Sequence, residues 1–401
     1  MLKLSLEGID FTEHHRRFRE PILAALRWIV TSPQYRNFKF ELLNRPMVQP
    51  AAAVSGKVAM DYLKFICDFL ETEPSPLPPD QILELIRQDQ VFRATYGWKR
   101  LNHWISPLTR TPTDMIASRN LLRKIFSYEV FSAGHGLHWD DQAFTLSEVN
   151  LASESPWGAS QFIQAVQNAN HLSYCPYCNA EAVYAVELVE GDGRWIRTSL
   201  DHFFPRWKYP YLALEPYNLV PACDRCNSRC KHERDVLDHS QPYRKGTWAK
   251  NDSAIATPKL KIVYPYGDSL HDGARFEVSN PSPEWFAGSA NADSLKLECQ
   301  TSPTEDGRRY AESVLLYRLR TVYQRIYGRE LAELPLRLRV AQSAYPEILS
   351  NALKRWGGAP GNVSAHAIRR FLLNGTLNAT RINDERLGKL KCDIYEQLGR
   401  G

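Results

Sequence analysis

No run of apolar residues in this chain is long enough to cross a bilayer. The most apolar early stretch, residues 21–30, is interrupted by Arg27 and falls far short of the roughly 20 residues that a spanning helix needs. Residues 1–10 are mixed and polar and carry no signal-peptide pattern, so a cytoplasmic location without membrane contact is expected. There is no internal repeat, no long low-complexity tract and no Walker A sequence; the absences exclude a solenoid and a P-loop ATPase within this chain. Eight cysteines among 401 residues are too sparse for a disulfide scaffold. Charge is not extreme either. A net +5 at pH 7, with 24% charged and 43% hydrophobic residues, tolerates a polyanionic partner without demanding one.

A chain of this length exceeds one ordinary core, and two or three domains are expected. Residues 1–150 read mostly as helix, with apolar residues at helical spacing over 22–30, 58–70 and 82–92 and a further helix over 115–131. The proline-rich segment 74–79 separates two of these, and Asp80 stands where an N-cap belongs. Residues 135–141 read as loop, and Ser155-Pro156 as the start of a helix reaching about Asn168. Strands follow at 182–188 and 194–200, joined by the turn Glu190-Gly191-Asp192-Gly193, with a third at 218–221 and a short helix over 224–232. Beyond about 250, strands are expected at 259–264, 274–278 and 295–298, then helices over 307–327, 341–356 and 384–398. The fold class is α+β: a helical region at 1–150, a central region at 151–248, and strands plus helices at 249–401, the last an accessory or partner-binding region.

The chemistry concentrates in the central region. Cys175 and Cys178 form one Cys-x-x-Cys pair, Cys223 and Cys226 a second, and forty-four residues separate them. Each knuckle sets two thiolates on one side of a tight turn, and two knuckles together give tetrahedral sulfur ligation for a structural zinc. A thioredoxin-type redox pair would explain one knuckle but not the other. Between them stand Asp201-His202, at the end of an expected strand, and Asn218; Asn227 follows Cys226 directly. A carboxylate, an imidazole and two carboxamides suit an open site for a hard cation and a water nucleophile.

The runs Asp201-His202-Phe203-Phe204-Pro205, Asn218-Leu219-Val220-Pro221-Ala222-Cys223 and Cys226-Asn227 resemble the ββα-metal motif of HNH endonucleases, in particular the zinc-bound subgroup with two knuckles around its active site. The resemblance covers residues 175–232. It implies that Asp201 and Asn227 bind one Mg²⁺ or Mn²⁺, that His202 is the general base, and that Asn218 braces the loop between the strands and orients His202. Products would be 5′-phosphate and 3′-hydroxyl ends. His232 is the rival to Asn227 for the motif's third letter. Where the family often has a lysine, this chain has Cys230, with Lys231 next. The order from Asp201 to Asn227, followed by Tyr264-Pro265-Tyr266-Gly267-Asp268, also looks like the nuclease subunits of Septu-type anti-phage systems, which implies a separate ATPase partner.

Arg206, Lys208, Arg225, Arg229 and Lys231 are the candidate nucleic-acid contacts, with Trp207 and Tyr209 interleaved. The stretch 171–240 holds eight Lys/Arg against ten Asp/Glu, so strong binding must draw on flanking regions, and the arginine-rich segment 308–329 is one source. DNA is the expected substrate. The alternatives are a non-catalytic zinc module that binds nucleic acid and an RNA-cleaving effector using the same residues.

Overall fold

Ile22, Leu23, Ala25, Leu26 and Ile29 line one face of helix α1 (Glu20–Thr31) and are all buried, as a period of 3.6 residues requires. In the computed structural model of the protein, α1 packs against α2 (Lys57–Thr72), α3 (Pro79–Thr95) follows, and α2 packs also on α4 (Thr113–Ile125). The structure describes residues 2–43, 57–95, 113–150, 157–189, 193–237, 259–268, 273–279, 281–287, 290–291, 294–355 and 387–399, with 364–365, 367–368 and 373. Asp80 lies inside the first turn of α3 rather than capping it. The helix expected over 115–131 is two, because Ser127 is extended between α4 and α5 (Tyr128–Ala133). Helix α5 stops at Gly134, whose φ of 77° lets its N–H turn back to the Phe131 carbonyl, a conformation glycine adopts without a Cβ clash.

The expected loop at 135–141 is instead a strand. β2 (Gly136–Asp140) pairs antiparallel with β3 (Thr145–Val149), which pairs parallel with β1 (Lys39–Glu41). The loop-like composition belongs to the hairpin turn: the Asp140 carboxylate accepts from the Gln142 and Ala143 N–H groups at 2.9 Å each. Trp139 holds the sheet on α1 through its contact with Trp28 and also stacks on Phe38, just before β1.

In the central region, helix α6 (Ala159–Asn170) leads to the first knuckle; its expected start at Ser155-Pro156 lies outside the described residues. β4 (Ala185–Glu187) and β5 (Trp195–Arg197) form an antiparallel pair, and most of the turn at 190–193 lies outside the described residues. β6 (Ser199–His202) pairs antiparallel with β7 (Leu219–Ala222) in the register Asp201 to Val220 and His202 to Leu219. A wide-turned helix, Arg225–Lys231, follows β7 directly.

The strand expected at 259–264 does not form. Its place holds one isolated bridge, Leu237 to Leu260, and a turn at Tyr264–Gly267. Pro265 cannot donate to a ladder, and the Tyr264 and Tyr266 hydroxyls instead bond the Tyr217 and Leu219 carbonyls at 2.5 and 2.6 Å, backing the β6–β7 pair. β8 (Ala274–Ser279) and β9 (Lys296–Thr301) pair antiparallel. The single helix expected over 307–327 breaks after α7 (Glu305–Leu316): Arg318 takes φ 52°, ψ 39°, and a second helical stretch runs over 319–326. The helix expected over 341–356 forms as α9 (Tyr345–Arg355), and a further helix, α8 (Gly328–Gln342), precedes it. Pro335 lies inside α8, which hides that helix from pattern reading. Helix α10 spans Gly388–Gly399.

Buried apolar side chains from 1–150, 151–248 and 249–401 join one cluster, from Leu2 to Tyr395. Backbone bonds cross between these stretches at the first knuckle: the Leu2 N–H donates to the Pro176 carbonyl at 2.6 Å and the Leu387 N–H to the Asn179 carbonyl at 2.5 Å. Among the described residues no helix is long and apolar enough to cross a membrane.

Candidate metal centre and candidate active site

The first knuckle closes as a tight loop. The Asn179 N–H donates to the Cys175 carbonyl at 2.7 Å, and Asn179 itself is left-handed at φ 50°, a region asparagine tolerates better than most residues. The second knuckle spans the end of β7 and the wide-turned helix. Cys175, Cys178, Cys223 and Cys226 are all buried, and their sulfurs lie within 4.8 Å of one another. Cys178 Sγ and Cys223 Sγ are 3.9 Å apart. Zinc–sulfur bonds of about 2.3 Å in a tetrahedron put the sulfurs about 3.8 Å apart, whereas a disulfide needs about 2.05 Å. The set therefore fits one thiolate-ligated metal ion such as zinc.

Arg225 stands beside this cluster. Its Nε donates to Glu181 Oε1 at 2.7 Å and its Nη1 to the Tyr317 carbonyl at 3.0 Å. That carbonyl sits just past the end of α7, where backbone acceptors are left over from the helical ladder. Burial works against the Arg225 charge, but the Cys226 and Cys178 sulfurs and Glu181 hold it above the usual guanidinium range. Burial likewise opposes a charged Cys178, yet hydrogen bonds from Cys175, Cys223 and Cys226, with Arg225 nearby, hold that thiol well below its ordinary value.

Asp201 is withdrawn from solvent, 2% exposed, and both of its oxygens are engaged. The Tyr177 hydroxyl donates to Oδ2 at 2.5 Å, and the Lys231 ammonium to Oδ1 at 2.9 Å. Lys231, expected as a nucleic-acid contact, is instead fully buried and also donates to the His202 carbonyl at 2.6 Å. Tyr177 lies between the first two cysteines and stacks on Tyr317, with centroids 4.7 Å apart. The knuckle thus fixes the partner of Asp201.

His202 points the other way, as alternation along β6 requires. Its Nε2 is 3.0 Å from the Ala213 carbonyl. A carbonyl only accepts, so Nε2 carries the hydrogen and Nδ1 is left with the lone pair. The ring meets the Tyr128 ring edge-on at 4.6 Å, and the Arg206 guanidinium lies over the same Tyr128 ring. Burial, then the Arg206 and Lys231 charges, push the imidazole pKa down to about 3 against the Ala213 bond, so His202 is neutral at physiological pH. Asn218 is buried between β6 and β7: its Oδ1 accepts from the Phe204 N–H at 2.6 Å, and its Nδ2 donates to the Phe204 and Leu212 carbonyls at 3.1 and 2.8 Å. Those bonds hold the loop that carries Ala213 over His202.

The other expected site residues have varied placements. The Asn227 amide donates to Ser199 Oγ at 2.9 Å. Arg206 pairs with Glu129 at 2.8 Å, and Lys208 is buried against Asp235 rather than open to a phosphate. Arg229 is exposed, with Asp224 3.4 Å away, while His232 is exposed at φ 49°. Among the described residues, the four cysteines are the one group that gathers three or more His, Cys, Asp or Glu ligand atoms. Two contributors escape sequence reading. Tyr177 does leave a signal, because it stands between the two cysteines of a Cys-x-x-Cys pair. Tyr128 leaves none: it precedes the Asp201-His202 pair by more than seventy positions and meets His202 only through tertiary packing. Compared with family models, with curated proteins and with solved structures, the chain matches none of them.

Proposed function

We propose that this chain is a zinc-clamped, metal-dependent phosphodiesterase of the HNH type that cleaves nucleic acid, with DNA as the first substrate to test. The observation that carries the reading is His202: a neutral imidazole at a strand end, its tautomer set by the Ala213 carbonyl at 3.0 Å, beside a carboxylate anchored by a zinc-knuckle tyrosine. A neutral imidazole with a free Nδ1 can take a proton from water. Asp201 and Asn227 would hold a divalent ion, which supplies charge stabilisation at the scissile phosphate and its leaving oxygen. Each Asp201 oxygen keeps a second lone pair beside its bond to Lys231 or Tyr177, and the ion would share the carboxylate with the Lys231 ammonium. Asn218 positions the loop that orients His202, and Arg206 supplies positive charge beside the imidazole.

The test is plasmid DNA and, separately, total tRNA, incubated with the zinc-loaded protein and Mg²⁺ or Mn²⁺. Cleavage leaving 5′-phosphate ends is expected, reduced by about 10²-fold or more in His202→Ala. Equal cleavage by wild type and His202→Ala overturns the assignment. A second reading, a non-catalytic zinc module, is favoured by the fact that both Asp201 oxygens are already satisfied; it predicts no cleavage of either substrate under any of these conditions.

A further inference from the structure

A cleft of about 890 Å³ opens between the wide-turned helix Arg225–Lys231, strand β9, helix α7 and the stretch after it. Its walls carry Arg229, Arg234, Lys261, Arg318, Arg320 and Arg325, and Lys231 lies in its floor. Two acids face them, Asp235 and Glu312, and Asp235 is already paired with Lys208. The six wall cations are all solvent-exposed, drawn from segments far apart in sequence. Arg320 is steadied by a bond from its Nε to the Leu297 carbonyl at 3.0 Å. The left-handed turn at Arg318, φ 52°, puts that side chain in the cleft wall between α7 and the helical stretch 319–326. Converging cations of this number in a concavity create a positive field that favours a polyanion.

We infer that this cleft binds the phosphodiester backbone of a nucleic-acid strand. The floor residue Lys231 donates to Asp201 at 2.9 Å, so one buried side chain links the cleft to the candidate active site. The choice of a nucleotide chain over another polyanion rests on the nuclease reading; the charge of the cleft does not. Cations spread over a wall suit successive phosphates, and the exposed Leu315 on the same wall offers apolar surface to a base or sugar.

The test is fluorescence anisotropy of labelled 12-nucleotide oligo-dT and oligo-U with the zinc-loaded protein, without added Mg²⁺, across a salt series, with ATP as a competitor. Arg318→Glu with Arg325→Glu should weaken binding at least tenfold and reduce the salt slope by about 1.4, roughly 0.7 for each phosphate no longer neutralised. A double variant with the same charge change elsewhere, Arg36→Glu with Lys64→Glu, should bind within twofold of wild type. The inference is overturned if the cleft variant binds like wild type, if the control variant weakens binding equally, or if ATP displaces the oligonucleotide at equal concentration. The DNA and RNA arms tell which backbone is preferred. Binding without cleavage sinks the nuclease reading alone; plasmid cleavage with cleft-independent binding sinks the cleft alone.

Discussion

The Lys231 ammonium lies 2.9 Å from Asp201 Oδ1, with the two side chains 0% and 2% exposed. A buried pair of this kind is costly to break from one side, because the remaining charge has no water to turn to. Lys231→Met should therefore destabilise the protein by about 3–5 kcal/mol, and the double variant with Asp201→Asn should recover much of that loss. Urea unfolding of the zinc-loaded proteins measures both. A double variant no more stable than Lys231→Met alone would show that the pair is not the source of the loss.

The cysteine cluster predicts one zinc per chain by elemental analysis. Cys223→Ser, which removes one of the four sulfurs, should lower the bound zinc and the unfolding temperature together. Full zinc content in that variant would place the metal elsewhere.

Three groups with displaced pKa values contribute to the pH dependence of stability. The pKa values of His14 and His202 are pushed down to about 4 and about 3, chiefly by burial. The unfolded chain gains these protons near pH 6.5 and the folded chain only well below it, so stability is lost as pH falls below about 6.5. Glu215 is pushed up to about 8 by burial, against the opposing Arg19 charge, and its contribution runs the other way, lost as pH rises from about 4.5 to about 8. The two histidines outweigh the one carboxyl below pH 6.5; above it the carboxyl is opposed by the cysteine cluster, where Cys178 is held well below the ordinary thiol range and so adds stability as pH rises. Glu215→Gln should remove the carboxyl's contribution, so that the stability difference between wild type and variant falls as pH rises from about 4.5 to about 8, at up to about 1.4 kcal/mol per pH unit. A difference that stays constant over that pH range would sink this assignment.

Asn218 answers three backbone groups with one side chain. Asn218→Ala takes this partner from the Phe204 N–H and carbonyl, while the Leu212 carbonyl keeps the Glu215 N–H at 3.2 Å, and should cost about 1–3 kcal/mol for a group so stranded. In the proposed nuclease it should also slow cleavage, through the displaced Ala213 carbonyl, while zinc content stays unchanged. Unchanged cleavage with reduced stability would make the residue purely architectural.

Much of this is legible in the sequence where the signal is local. The helices around Ile22, Leu63 and Ile82 follow from apolar spacing, and the four cysteines follow from knuckle spacing. What cannot be read is set by distant neighbours. The strand at Gly136–Asp140 is stabilised by Trp28 and Phe38, more than ninety positions earlier. The break at Arg318 leaves a carbonyl that Arg225 takes up from another part of the chain. Lys231 looks from sequence like a phosphate ligand, yet it is buried against Asp201, a placement that no periodicity announces.

The Leu2 and Leu387 amides both fasten to the loop between Cys175 and Asn179. Backbone links of such long sequence separation can form only once most of the polypeptide has collapsed, and they raise the contact order on which slow folding depends. Closure of the first Cys-x-x-Cys loop is thereby tied to both distant ends of the described chain, and an excised fragment covering 175–232 alone would forfeit these two straps.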